Sequence, residues 1–363
     1  MKRAFIKGND AVIAGALYAG CRAFFGYPIT PASEIAHDAM KLIPAAGGLA
    51  IQAESEVAAI NMVYGAAATG TAAMTATSGP GFSLMQEGMS YLAAARLPCV
   101  IVDVMRSGPG LGNIGPEQGD YFMATKGGGH GHYHVPVIAP ASVSEMFWLT
   151  ARAFEIAFQY RTPVIVLADA FIGQMMETMD LPDDLQPQSD VPAHRWPLDI
   201  AVHGDKQTRG HIVSTLELVP PKLNEKNDAR FEAYRQMAQE LPQSETDTQD
   251  DAKTLVVAFG ICARISHEAV TLARSAGHRV SWFRPVSLWP FDEQKFLEQA
   301  KSMDRICVVE CNRGQMREDV ERVAAKLANH PEITGVCTDG GVIPTSEQII
   351  RHISAVDESH RRM

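Results

Sequence analysis

Cysteine is scarce and poorly spaced for metal work. The 363-residue chain has six, Cys21, Cys99, Cys262, Cys307, Cys311 and Cys337, with no C-x-x-C pair, so zinc-ribbon and iron-sulfur ligand patterns are absent. Several sit in apolar runs, as buried free thiols do in a reducing, cytoplasmic compartment. Positive charge is also the minority sign: 32 Lys and Arg stand against 42 Asp and Glu, a net charge of −10. That balance argues against a surface made for nucleic acid or for membrane adhesion. A clean export signal is missing as well, because Lys7, Asn9 and Asp10 interrupt the passage from Lys2 and Arg3 to the short apolar stretch 11–19. Asn9 or Asp10 capping an amphipathic helix is the better reading.

Apolar material is plentiful. At 46% apolar residues the chain can bury a large core, which excludes disorder, and its length suits two or three domains. Charge vanishes for the thirty residues between Glu56 and Glu87, long enough to imitate a membrane span. Asn61, Gly65, Thr69, Gly70, Ser78, Gly79, Pro80 and Gly81 instead divide that stretch into a helix, an extended run and a glycine-proline loop. A buried α/β interior without membrane insertion is expected.

Apolar runs at Ala23 to Gly26, Leu49 to Ala53, Thr71 to Thr77, Cys99 to Met105 and Pro163 to Ala168 read as strands. Helical patterns at 9–20, 32–42, 55–69, 82–95 and 142–159 alternate with them. Such strands are too apolar to expose one face, so the fold class is α/β, a parallel sheet sandwiched by helices, with ligands at the strands' carboxyl ends. From 180 to 253 the texture changes: seven of the 21 prolines fall there, about twice the density elsewhere, which marks a Pro-rich linker or arm with one helix near Asp228 to Gln239. Strands at Thr254 to Phe259, Arg279 to Phe283 and Arg305 to Glu310, with helices at 262–275, 292–302 and 315–328, then form a second, smaller parallel α/β domain. The expected division is 1–180, 181–253 and 254–363.

Several motifs sit where such sheets bind ligands. Tyr27-Pro28-Ile29-Thr30-Pro31 joins a strand to a helix, either as a plain turn and cap or as a dock for a carboxylate or phosphate at the helix N-terminus. Glu54 and Glu56 lie where a strand passes into an apolar helix. Glu54 is expected in solvent, whereas Glu56 borders the uncharged stretch and is expected to point inward, a setting suited to proton exchange. Thr77-Ser78-Gly79-Pro80-Gly81 makes a similar turn, and Arg106 ends the next strand, fitted for a substrate carboxylate or for an ordinary surface ion pair. Gly110 to Gly115 fits G-x-G-x-x-G, but neither an apolar helix nor a suitably placed acid follows, so an active-site loop is preferred to a dinucleotide site. His130, His132 and His134 alternate and could face one way toward a metal, although no neighbouring ligand completes a site.

Together these pieces resemble the α subunit of thiamine-diphosphate-dependent 2-oxoacid:ferredoxin oxidoreductases. The resemblance rests on Gly26 to Pro31, the Glu56 helix, Thr77 to Gly81, Arg106, the Gly108 to Gly115 loop, Gln118-Gly119-Asp120-Tyr121-Phe122 and Lys126 to Gly131. It continues through Arg284-Pro285, Leu288-Trp289-Pro290-Phe291, Asn312-x-Gly314-Gln315-Met316 and Gly340 to Thr345. It implies a pyrimidine-binding first domain and a transketolase-C-terminal-like last domain. It further implies that Glu56 hydrogen-bonds the cofactor's aminopyrimidine ring and relays its proton. Tyr27, Pro28, Ile29, Ser78 and Gly79 would contact the cofactor, and Thr30 and Arg106 would bind the 2-oxo acid. The reaction implied is oxidative decarboxylation with coenzyme A as co-substrate, the electrons passing to ferredoxin.

The chain lacks the Gly-Asp-Gly and paired-asparagine pattern with which similar enzymes hold magnesium and diphosphate. The resemblance therefore implies a β subunit that completes a shared site, with γ and ferredoxin-like δ subunits and the iron-sulfur clusters on those partners. The Gly108-Pro109-Gly110-Leu111-Gly112-Asn113 loop looks most like the branched-chain (3-methyl-2-oxobutanoate) subgroup, with 2-oxoglutarate or an aryl 2-oxo acid left open. A non-catalytic nucleotide-binding or electron-transfer subunit is the alternative from another class, and an assembly scaffold a third.

Overall fold

The strand Cys99–Met105 explains the layering of the molecule. Successive side chains point to opposite sides of a sheet. Val100, Val102 and Val104 enter one core with Val12 and Phe147, while Cys99, Ile101 and Met105 enter another with Phe82 and Met85. Helices thus cover both faces. A computed structural model of the chain describes residues 2–183 and 200–361; the part of the expected Pro-rich arm at 184–199 lies outside the described residues.

The larger sheet has seven strands in the order Ser287–Trp289, Val137–Ile138, Pro163–Asp169, Cys99–Met105, Ala73–Thr77, Ala23–Gly26, Leu49–Gln52. All neighbours are parallel except the first pair. The second sheet runs Glu332–Cys337, Arg305–Glu310, Thr254–Ala258, Val280–Pro285, Ser244–Asp247, with only the last strand antiparallel. The chain is an α/β protein with two mainly parallel sheets. A two-stranded antiparallel ribbon, Lys2–Lys7 with Met176–Leu181, completes the described strands.

Several local expectations change. The first helix, Gly8–Tyr18, is buried along nearly its whole length rather than amphipathic, and neither Asn9 nor Asp10 caps it. Asn9 is needed elsewhere: its amide donates to the Pro31 carbonyl (2.6 Å) and to Glu34 (2.9 Å), tying the helix to the Tyr27–Pro31 turn. The glycine-proline segment after Ser78 is no loop but the first turn of the helix Gly79–Ala95, where proline's missing N–H costs nothing. The arm's helix runs Pro220–Glu240, starting earlier than expected for the same reason. Ser287–Trp289 returns from the second half of the chain to the edge of the first sheet. Among the described residues no helix is long and apolar enough to cross a membrane.

Glu34 is the electrostatic keystone of the Pro31 turn. Partial burial works to raise its pKa, but hydrogen bonds from Lys7, Asn9 and Gln174 outweigh it and bring the carboxyl to about 2. Since the folded value lies below the unfolded one, near 4.3, Glu34 stabilises the fold above that range and the contribution is lost as pH falls toward 2. Urea titrations of wild type and Glu34→Gln should therefore differ at neutral pH, by up to about 1 kcal/mol because Glu34 is one-third exposed, and converge near pH 2.

Candidate active site

Four strands of the larger sheet deliver the singled-out residues to one edge, their carboxyl ends. After Ala23–Gly26 comes the Tyr27–Pro31 turn, in which Tyr27 and Thr30 are exposed and Pro28 and Ile29 half-buried. Asn9 and Gln174 amides both donate to the Pro31 carbonyl, which fixes the turn without using Thr30. Arg106 follows Cys99–Met105 and is buried, 9% exposed. Its Nη1 donates to the Thr30 carbonyl (2.8 Å) and its Nη2 to the Leu111 carbonyl (3.1 Å). Two carbonyls, rather than a carboxylate, hold the guanidinium, so its positive charge is positioned but not neutralised by them. The surface ion pair is set aside.

Glu56 opens the helix Glu56–Ala68, where Ser55 is the cap and accepts from the Ala58 amide. A carboxylate here is favoured by the helix dipole. Glu56 is 5% exposed, whereas Glu54 is exposed as expected, and the Glu56 carboxylate takes no hydrogen bond among the described residues. It lies against the next motif: a Cβ at Gly81 would stand 2.3 Å from Glu56 Oε1 and 2.2 Å from Thr77 Oγ1, so only glycine fits between them. Thr77 Oγ1 and Ser78 Oγ are buried without partners. Buried hydroxyls seldom stay unpaired, and a free carboxylate beside that of Thr77, with a second unpaired hydroxyl at the next residue, fits the polar edge of an aminopyrimidine ring. Among the described residues no acidic, histidine or cysteine cluster able to hold a metal occurs.

Gly79 and Arg106 line a cavity of about 640 Å³ together with Gly108, Asp120, Asn312 and Asp339, so both halves of the chain build its wall. Glu117 ties them, accepting from the Gly108 amide (2.7 Å) and the Gly340 amide (3.3 Å). The glycine-rich loop folds onto this rim: Gly112 has φ +56°, and a Cβ there would lie 1.7 Å from the Ser107 carbonyl. The next helix, Tyr121–Lys126, starts six residues beyond Gly115, so no helix N-terminus adjoins the glycines as in a dinucleotide site. The three histidines also part company. His134 stacks on Trp289 (4.9 Å, 9°), while His130 and His132 line a separate cavity of about 400 Å³ beside Tyr91 and Arg230.

Residues 14–244 match the family described as pyruvate flavodoxin/ferredoxin oxidoreductase, thiamine diphosphate-binding. The chain belongs to the 2-oxoacid:ferredoxin oxidoreductase family. Residues 252–349 match that family's core domain II, described for pyruvate:ferredoxin oxidoreductase. The family member named ketoisovalerate oxidoreductase subunit VorB, from Methanothermobacter thermautotrophicus, is 50% identical over 320 residues, 88% of this chain and 89% of that one. The 2-oxoglutarate synthase subunit KorA of Archaeoglobus fulgidus is 40% identical over 331 residues, 89% of this chain and 92% of its own length. A solved structure of 2-oxoglutarate:ferredoxin oxidoreductase from Magnetococcus marinus, with 2-oxoglutarate, coenzyme A and succinyl-CoA bound, superposes with a TM-score of 0.85 at 27% identity. It covers 97% of this chain, which spans 65%, just under two thirds, of that longer one.

Some residues of this oxidoreductase site were not assigned roles from sequence. Gln118 bridges the two halves, donating to the Phe259 carbonyl and accepting from the Cys311 amide. Asn312 and Gln315 add bonds to the carbonyls of Gln118 and Gly119. Asp103 lies wholly buried in the sheet, and Asp120 lines the cavity. One signal could have found Asp103: it is the only charged residue in the strand Cys99–Met105.

Proposed function

We propose that this chain is the α subunit of a multi-subunit enzyme that oxidatively decarboxylates a branched-chain 2-oxo acid, 3-methyl-2-oxobutanoate (ketoisovalerate), to its acyl-CoA and carbon dioxide. The observation that carries the catalytic assignment is the buried, unbonded Glu56 carboxylate beside the unpaired hydroxyl of Thr77. Thiamine diphosphate, when bound, supplies the carbanion chemistry for which amino-acid side chains have no equivalent. Glu56 holds and moves a proton at the aminopyrimidine ring, with Ser78, Gly79 and the Tyr27, Pro28 and Ile29 segment around it. Arg106, with Thr30, binds the carboxylate and carbonyl of the 2-oxo acid. A β subunit completes the site with diphosphate and magnesium ligands, and γ and δ subunits carry electrons through iron-sulfur clusters to ferredoxin.

The branched-chain substrate is supported by the 50% identity to the ketoisovalerate oxidoreductase subunit and by the Gly108–Asn113 loop. The 40% identity to a 2-oxoglutarate synthase subunit makes 2-oxoglutarate the second reading. Purified native complex, assayed with coenzyme A, a viologen dye and a panel of 2-oxo acids, should give a kcat/KM for 3-methyl-2-oxobutanoate at least about tenfold above that for 2-oxoglutarate. Equal or better use of 2-oxoglutarate would overturn the substrate assignment, and no dye reduction with any 2-oxo acid would overturn the reaction.

A further inference from the structure

Two acids at the cavity are left unused by the proposed chemistry, Asp103 wholly buried in the sheet and Asp120 half-buried in the wall. Asp103 sits in the strand Cys99–Met105 opposite Thr77 of the neighbouring strand and is 0% exposed. With both acids ionised, neither Asp103 oxygen has a hydrogen-bond partner, and Asp120 Oδ2 is likewise buried and unpartnered. Asp120 stands at the cavity wall, its carboxylate 3.5 Å from where a Gly79 Cβ would lie, with Arg106 on the same side. An ionised carboxylate stripped of both water and donors is strongly disfavoured, and two adjacent ones more so.

We propose that Asp103 and Asp120 act as one acid pair that holds a shared proton, sets the charge facing Arg106, and thereby sets the cavity's affinity for an anionic 2-oxo acid. This rests on the assignment of Arg106 to the substrate carboxylate. Both are positioning residues, acting through Arg106 and not on the reacting atoms.

Burial first, then the charge of Asp120 and the hydrogen bond between the two, push Asp103 well above the carboxylate range, with the Gly79 amide acting the other way. Burial also pushes Asp120 up to about 6, opposed by its bond with Asp103; Glu117 raises it further and Arg106 lowers it. These are the charged groups that act on the pair, with Arg313 and Asp339 farther along the same wall. At neutral pH the proton resides on Asp103, and Asp120 is the anion. As pH falls through about 6 the pair takes up a second proton and changes from −1 to neutral. Arg106 then loses the counter-charge of this pair, and an anionic ligand binds more tightly.

The test uses the assembled enzyme. KM for the 2-oxo acid should rise about tenfold as pH increases through about 6. Asp120→Asn should abolish the rise, and Asp103→Asn, whose amide donates to Asp120 and favours its ionised form, should move it to lower pH. A merely structural role would change the level of activity and leave the position of the step in place; a step unmoved in both variants overturns the coupling. Infrared difference spectra of the wild-type complex, which need no variant to fold, should retain a protonated carboxylic acid band at neutral pH, and its absence overturns the shared proton. Failure of the Arg106 assignment is separately visible, because Arg106→Ala would then use 2-oxo acids normally whatever the infrared band does.

Discussion

In the reconstituted complex, Glu56→Gln should lower 2-oxo acid turnover by about 10²-fold or more while the subunits still assemble. The substitution keeps the shape of the side chain and removes only its capacity to hold a proton. Gly81 leaves room for a group of that size, and the Ser55 cap of the helix does not depend on it, so folding should be nearly unaffected. Because the lost interaction belongs to proton movement, kcat and kcat/KM should fall together, with KM little changed. Stopped-flow reduction of a viologen dye would measure this. Turnover within a few-fold of wild type would remove Glu56 from the chemistry.

Arg106→Ala should have the second largest effect, a drop in kcat/KM for the 2-oxo acid of about 10² to 10³-fold, as two charge-assisted bonds to a carboxylate are each worth about 1.5–3 kcal/mol. Binding of thiamine diphosphate, measured by calorimetry on the complex, should survive, since the guanidinium bonds the Thr30 and Leu111 carbonyls and not Glu56, Thr77 or Ser78. Arg106→Lys should recover only part of the loss. A lysine keeps the charge, but a single ammonium cannot reproduce a fork that reaches the Thr30 and Leu111 carbonyls at once.

Much of this arrangement was legible in the sequence because the central strands are uniformly apolar and the helices between them long. Cys99–Met105 has the expected ends, and Pro163–Asp169 is one residue longer than expected. Short pieces escaped. Val137–Ile138 and Ser287–Trp289 are too brief to display a period, and their pairing depends on a crossing between chain halves. Lys2–Lys7 carries three cations in six residues and has the texture of a solvated tail; it becomes a strand because Met176–Leu181 places Asp180 opposite Arg3. Glu56 could be found from where charge stops. The Asp103 and Asp120 pair could not, since its partners are 17 positions apart and meet only after the strand and the following loop have folded back.

Gln118 carries one more consequence. Its amide group and its backbone both clasp Cys311, whose N–H and C=O are thereby committed to it, while Asn312 seals the Gln118 carbonyl. All of these groups are buried. The two sheets therefore cannot swing apart at the cavity as hinged bodies without breaking four interior hydrogen bonds together. Such bonds exchange their hydrogens only on global opening. The backbone amides of Gln118 and Cys311 should rank among the slowest in the chain to take up deuterium, in contrast to the exposed glycine loop only a few residues away.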